Sequence, residues 1–268
     1  MIKIEKNTLQ QEVWFPRTER GNNTFRKTYQ DGFDDGYQDG LSSSKIKLYD
    51  GMQLAYSDIY DLNRYDFSDV KSGGNMFYNC RFYNDYYDLS FVGDWNDTGS
   101  IFSRIRLKKR DTTMIVKLRE IRSFGAFYVV DADYPNSGTL HCTLTEKVKD
   151  AYMMFSYNYG FGTINLYGDF SECTGFREIV NWINSDGKTI NFNHFDMGNE
   201  TNKTEDIFGN TSKNWTIRIS GDSPRSTFTR LLDDGTRYNH LDWTYCYGKE
   251  RWTYDTAKKE WVLSGYDD

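Results

Sequence analysis

Three histidines and four cysteines carry the side chains of this chain that most often bind metals or act as nucleophiles. His141, His194 and His240 lie at least 46 residues apart, so no pair has the close spacing of a zinc motif. The cysteines are Cys80, Cys142, Cys173 and Cys246. No Cys-x-x-Cys pair occurs among them, and an even number of cysteines does not by itself indicate disulfides. We expect four free thiols, no metal ion, no cofactor and structural roles for the histidines.

A repeated tetrad near the amino end suggests one metal hypothesis. Residues 29–40 read Tyr-Gln-Asp-Gly, Phe-Asp-Asp-Gly and Tyr-Gln-Asp-Gly. A calcium loop of the EF-hand type that began at Asp31 would have Gly36 at its sixth position, but Ser42 stands where a bidentate Glu is needed. A helix is the preferred interpretation, because it would put the aromatic residues of the three tetrads on one side. A disordered arm is the alternative.

The charge and the motifs of the chain argue against two large functional classes. The formal net charge is −6, whereas nucleic-acid binding needs clustered Lys and Arg. The one basic segment, residues 104–110, holds five Lys or Arg; we interpret it as a solvated edge, with an anion-binding patch as the alternative. No carboxylate pair is singled out for glycoside hydrolysis, and no nucleophile elbow is present. The sequence therefore predicts a protein that is not an enzyme and does not bind nucleic acid.

The amino-terminal residues contain no apolar run that would serve as the core of a signal peptide. No segment approaches the roughly 18 consecutive apolar residues that span a bilayer. We therefore expect neither export by the general secretory route nor insertion into a membrane.

A four-residue signature recurs along the chain at intervals of 24 to 27 residues. Its first residues are Asp88, Thr113, Thr139, Thr163, Thr189 and Thr216. The second and fourth positions are mostly apolar, so in a β-strand they would point to one face of a sheet. We expect Ile164 and Leu166 to point inward and Asn165 to point outward. A period of this size is typical of stacked repeats.

Apolar pairs with a similar interval fall between the signatures. They are Met76-Phe77, Ile101-Phe102, Phe127-Tyr128, Met154-Phe155, Trp182-Ile183 and Ile207-Phe208. We expect these pairs to fill the wall opposite the strands, so that one continuous core runs through the molecule.

Residues 74–91 combine Met76-Phe77 and Cys80 with the signature that begins at Asp88. This segment resembles the repeat unit of BspA-type leucine-rich repeats, and residues 195–199 and 205–210 are similar to the part of that unit between strand and aromatic pair. Across residues 60–220 the match is degenerate, since the Cys of the unit recurs nowhere else and Leu is often replaced. The resemblance implies a curved repeat domain of the kind found in bacterial surface adhesins and in phage proteins.

These patterns predict a leucine-rich-repeat-like solenoid with one parallel β-strand per coil of about 26 residues and a far side of irregular or short helical turns. We expect a docking arm with a short helix over residues 1–45, the solenoid over 46–245 and a β-hairpin cap over 246–268. The last coil is expected at His240–Trp243, and the strands of the cap flank residues 255–259.

Stacked strands would align the third residues of the signatures on the outer surface of the sheet. These candidate binding residues are Ser90, Ile115, His141, Asn165, Asn191 and Arg218. Adjacent Asn side chains can hydrogen-bond to each other, and flanking aromatic rings can stack on sugars. The row would suit recognition of a protein or a glycan. The alternative is that its polar side chains bind no ligand and only cover an exposed sheet surface.

The amino-terminal arm contains a short apolar stretch that stops at a proline, as would suit a strand added to a neighbour's sheet edge. Its candidate assembly residues are Trp14, Phe15, Tyr29, Phe33 and Tyr37. The order Trp-Phe-Pro-Arg, polar spacer and Tyr-x-x-Gly-Phe-x-x-Gly resembles the opening of short structural proteins of Bacteroides phages, including crAss-like phages. The resemblance implies an attachment or assembly arm.

Together these observations predict a non-enzymatic structural protein of a phage virion, in a tail or head appendage, that contacts a host-surface glycan or protein. It would be assembled in the bacterial cytoplasm, with other virion proteins bound through the arm, and a homo-oligomer is compatible with this. The alternatives are a BspA-like adhesin on the bacterial cell surface and an intracellular protein-binding repeat module.

Overall fold

A computed structural model describes residues 45–119, 126–173, 175–176, 178–180, 186–197, 206–209 and 214–267. The strands in these residues are β1 (Ile46–Tyr49), β2 (Asp58–Ile59), β3 (Tyr65–Asp69), β4 (Arg81–Phe82), β5 (Tyr86–Leu89), β6 (Arg106–Leu107), β7 (Thr113–Leu118), β8 (Asp131–Ala132), β9 (Gly138–Leu144), β10 (Phe161–Tyr167), β11 (Thr189–Asn193), β12 (Thr216–Ile219), β13 (Thr244–Tyr247), β14 (Glu250–Asp255) and β15 (Glu260–Tyr266). One helix, α1, spans Arg225–Arg237. The predicted assembly residues, from Trp14 to Tyr37, lie outside the described residues.

Nine strands form one mixed sheet in the order β15-β14-β13-β12-β11-β10-β9-β7-β5. Neighbours from β5 to β13 are parallel, whereas β14 and β15 join β13 as an antiparallel hairpin. The prediction of a leucine-rich-repeat-like solenoid with one parallel strand per coil is therefore wrong. The alternating pattern at residues 250–266 indicated a hairpin but not its pairing partner. The unpaired N–H and C=O groups at the edge of β13 take up β14, so the hairpin extends the sheet and is not a separate cap.

Two smaller parallel sheets complete the β-structure of the described residues, one formed by β1 and β3 and the other by β2, β4, β6 and β8. Each strand of the four-stranded sheet is only two residues long. The side opposite the main sheet thus contains regular strand pairing where irregular turns were expected. Two residues are too few to give an alternating apolar pattern, which is why the sequence did not indicate these strands.

The recurring threonines are neighbours in the main sheet. The paired residues are, in order along the sheet, Thr113, Thr139, Thr163, Thr189, Thr216 and Thr244. At one end Thr113 pairs with Tyr86 and not with Asp88. At the other end the next strand begins at Thr244, after the segment His240–Trp243 in which the last coil was predicted.

The core lies between the main sheet and the far side, and large aromatic residues dominate it. Phe77, Phe102, Phe127 and Phe155 are fully buried and form a column with ring centroids 5.4, 5.1 and 5.6 Å apart. These separations are within the range of favourable aromatic pairs. The predicted burial of the apolar pairs is confirmed at these positions, except that Phe127 and not Tyr128 is the counterpart of Phe102.

The helix α1 was not predicted, and it joins the hairpin to the core. The indole N–H of Trp261 on β15 donates to the carbonyl oxygen of Leu232 (2.9 Å) and to Thr236 Oγ1 (2.8 Å). Gly235 interrupts the helical pattern in the sequence and lowers helix propensity. A side chain there would clash, because a Cβ atom would lie 2.7 Å from Tyr245 Oη.

The inward orientation of β10 can be tested with two adjacent residues. Ile164 is 1% exposed, whereas Asn165 is half-buried on the opposite face. Ile164→Asp should lower the free energy of unfolding by about 3 kcal/mol or more, because it buries an unpaired charge. Asn165→Asp should cost far less. Urea unfolding monitored by tryptophan fluorescence measures both, and equal losses would contradict the orientation.

Lys188 and Asp234 are buried, and neither forms an ion pair with a described residue. Lys188 is 1% exposed, its Nζ donates to the carbonyl oxygen of Phe161, and burial lowers its pKa to about 7. Asp234 on α1 is 4% exposed and burial raises its pKa to about 7. The backbone N–H of Ile207 donates to Asp234 Oδ1 at 3.4 Å.

These pKa values predict a minimum of stability near pH 7. Unfolded Asp234 loses its proton near its ordinary pKa of 3.8 but the folded residue keeps it to about 7, so stability should fall over that interval. Folded Lys188 loses its proton near 7 and the unfolded residue near 10.5, so stability should then rise. Each slope is at most about 1.4 kcal/mol per pH unit.

Urea unfolding between pH 4 and pH 9 measures this profile; above pH 9 the buried thiol of Cys142, with a pKa raised to about 12, makes stability fall again. Asp234→Asn should remove the fall on the acidic side, and Lys188→Met should remove the rise on the alkaline side. A profile that neither substitution changes would show that these two groups do not control it.

Candidate binding face of the nine-stranded sheet

The outer face of the main sheet carries a row of side chains that we call the central row. In sheet order it consists of Asp88, Ile115, His141, Asn165, Asn191 and Arg218. Five of the six predicted binding residues are therefore adjacent. Ser90 is not among them, because Asp88 pairs with Ile115 and Ser90 begins a 3₁₀ turn at the end of β5.

Three neighbouring side chains of the central row form a hydrogen-bonded ladder. Asn191 Nδ2 donates to Asn165 Oδ1 at 2.6 Å. This bond turns the amide nitrogen of Asn165 toward His141, whose Nδ1 lies 3.3 Å from it. Since an amide nitrogen can only donate, this contact is a hydrogen bond in the His141 tautomer that carries its proton on Nε2. The ladder has a defined direction across three strands.

The direction of the ladder determines what it can bind. Each of its two bonds uses one amide N–H and one acceptor lone pair. The His141 Nε2–H is then a donor at one end of the ladder, and Asn191 Oδ1 is an acceptor at the other. Neighbouring strands are about 4.8 Å apart, so these two groups are separated by about 10 Å. A ligand with hydroxyl or amide groups can accept from one end and donate to the other.

The two ends of the central row are occupied by local interactions. The carboxylate of Asp267 accepts hydrogen bonds from both Arg218 and Arg251. This pairing raises the pKa of Arg218 and lowers that of Asp267. Asp88 Oδ1 accepts the backbone N–H of Ser90 at 2.9 Å, and hydrogen bonds from Ser90 lower the pKa of that carboxyl. Neither charged end is therefore an open site for a charged ligand.

Residues beside the central row add hydroxyl groups and an exposed ring. The recurring threonines from Thr113 to Thr244 form a half-buried row two residues before it. Tyr167 follows Asn165 by two residues on the same strand and is 41% exposed. Its ring thus lies on the same face as the ladder. The prediction missed Tyr167, although strand alternation from Asn165 indicates its orientation.

The remaining residues selected for possible chemistry are separated in the structure. Over the described ranges, no group of three His, Cys, Asp or Glu side chains is placed to hold a metal ion. His194 contacts Asp222 at 2.8 Å on the surface, and His240 stacks on Trp243 with ring centroids 4.1 Å apart. All four cysteines lie in the described residues, are buried and form no disulfide. Burial raises the pKa of Cys142 to about 12.

Comparison with known proteins gives no relative for this arrangement: neither a protein-family model, nor a curated protein, nor a solved structure matches the chain. In the part of the chain that the structure describes, no helix has the length and apolar character needed to cross a membrane.

The ladder itself is testable. Asn165→Leu removes two half-buried side-chain hydrogen bonds and should lower the free energy of unfolding by about 1 kcal/mol. Thr163→Val is the matched control, because it changes the same face of the same strand at a hydroxyl outside the ladder. Urea unfolding of both variants gives the comparison. A loss in the control equal to that in Asn165→Leu would show that the ladder bonds do not contribute.

Proposed function

We propose that this chain is a non-enzymatic structural protein of a phage virion, located in a tail or head appendage, and that the outer face of its main sheet contacts a glycan or protein of the host surface. The ladder of His141, Asn165 and Asn191 carries the proposal. It holds a donor and an acceptor at a set separation beside the exposed ring of Tyr167. Directed hydrogen bonds next to an aromatic face suit the hydroxyl groups and ring faces of a sugar.

The rigidity of the face supports binding. Each ladder residue belongs to a strand paired on both sides, so little side-chain or backbone freedom remains to be lost when a ligand binds. The amino-terminal resemblance supports placement in a virion, because it implies an arm that attaches the chain to other particle proteins. The alternative of a bacterial surface adhesin rests on the resemblance of residues 74–91.

Mass spectrometry of purified particles tests the proposal directly. The chain should be found in virions, and Trp14→Ser combined with Phe15→Ser in the full-length chain should reduce its incorporation at least tenfold, because these are two of the apolar residues through which the arm is proposed to attach. Asn165→Leu serves as the control, since it changes the face and leaves the arm intact. Recovery of the chain in cell-envelope fractions, and not in particles, would favour the adhesin.

A further inference from the structure

A second outer surface, on the far side from the main sheet, is rich in tyrosine and arginine. We call it the tyrosine-arginine face. Its residues are Tyr56, Tyr78, Tyr83, Arg104, Lys109, Arg110, Tyr128, Tyr134 and Tyr157. They lie on and beside the four-stranded sheet of β2, β4, β6 and β8, and none of them belongs to the central row.

One side of this face is a line of rings interrupted by a guanidinium group. The rings of Tyr56 and Tyr78 are 5.7 Å apart, and those of Tyr128 and Tyr157 are 5.5 Å apart. Arg104 lies between the two pairs. Its guanidinium carbon is 5.9 Å from the Tyr78 ring centroid, and its backbone N–H donates to the carbonyl oxygen of Tyr128 at 2.8 Å.

The other side repeats this combination. The guanidinium carbon of Arg110 lies 5.1 Å from the centroid of the Tyr134 ring, which is 44% exposed. Lys108 Nζ lies 6.0 Å from the Tyr83 ring. Arg110 is six positions after Arg104, so their Cα atoms are at most about 20 Å apart. A chain of several sugar residues can reach both guanidinium groups.

The structure divides the basic segment 104–110 into paired and unpaired charges. Arg106 contacts Asp133 at 2.7 Å and Lys108 contacts the same carboxylate at 2.5 Å. By contrast, no carboxylate among the described residues forms an ion pair with Arg104, Lys109 or Arg110. A guanidinium that stacks on a ring through its face keeps its N–H edge available for a carboxylate. Three positive charges are therefore exposed on a protein of net charge −6.

The backbone at Arg104 determines which substitution can test it. Arg104 has φ 58°, and the equivalent residues of the other segments, Tyr56, Asn79, Val129 and Tyr157, have φ 66°, 56°, 59° and 57°. Residues other than glycine occupy this left-handed region at a cost. Arg104→Gly therefore removes the guanidinium group and relieves the backbone at the same position.

We propose that the tyrosine-arginine face binds an acidic polysaccharide. The tyrosine rings stack on the apolar faces of the sugars, and Arg104 and Arg110 form hydrogen-bonded ion pairs with sugar carboxylates. This site shares no residue with the ladder or with the amino-terminal arm. Its failure would leave the proposed virion role standing, and Arg104→Gly should enter particles normally.

Calorimetric titration of the full-length chain with polygalacturonate tests the proposal, and fully methyl-esterified polygalacturonate is the matched neutral probe. Binding is expected to the first and not to the second, and it should weaken as salt is added. Arg104→Gly and Arg110→Gln should each weaken binding about tenfold, equivalent to about 1.4 kcal/mol. Lys249→Gln, which removes an exposed charge elsewhere, should leave binding unchanged.

The glycine substitution separates binding from folding. Because glycine relieves the strain at position 104, Arg104→Gly should keep or raise the melting temperature while it weakens binding. A lowered melting temperature would indicate that Arg104 is a structural residue and would overturn its assignment. The proposal is also overturned if polygalacturonate does not bind, if the methyl ester or single-stranded DNA binds equally well, or if Lys249→Gln weakens binding as much as Arg104→Gly.

Discussion

Everything on the two faces of this protein depends on the register of its parallel strands. Side chains alternate between the two sides of a strand, so a slip of one residue would turn the apolar set outward and the polar set inward. The paired threonines, with Ile164 and its neighbours buried behind them, show that one register is kept from β7 to β13. The hydrogen-bonded ladder exists because Asn165 lies beside both His141 and Asn191 in that register.

The sequence predicted the structure correctly where the same pattern of residue types recurs in several strands. Alternating apolar residues predicted which side chains of the central strands are buried, and the interval between threonines predicted which residues are adjacent. It did not predict strands of only two residues, such as β2, β4, β6 and β8, because two residues give no recognisable pattern. The helix α1 was also not predicted, because Gly235 interrupts its helical pattern. Glycine is needed at that position to make room for Tyr245. The pairing of the hairpin with β13 changed the fold class, and no local pattern indicated it.

The candidate site was also predicted only in part from the sequence. The interval between the signatures predicted which residues of the central row are neighbours. It did not predict which of their side chains are already bound to partners from other parts of the chain. Arg218 is neutralised by Asp267, 49 residues away, so its charge is not available as the row alone suggested. Ser90 is absent from the central row because the chain enters a 3₁₀ turn immediately after β5. Conversely, the basic segment 104–110 gave no sign that two of its arginines stack on tyrosines, because those contacts form between different segments.

The sheet pairings also bear on how the chain is made. From β5 to β13, paired residues of neighbouring strands are only 23 to 28 residues apart in the sequence. Each strand that leaves the ribosome therefore meets an edge completed just before it, and no strand in this series must wait for a distant part of the chain. At translation rates of roughly 5 to 20 residues per second, a new strand would be added every few seconds. The protein can grow by ordered addition during synthesis, with each new strand joining the edge formed by the strand before it.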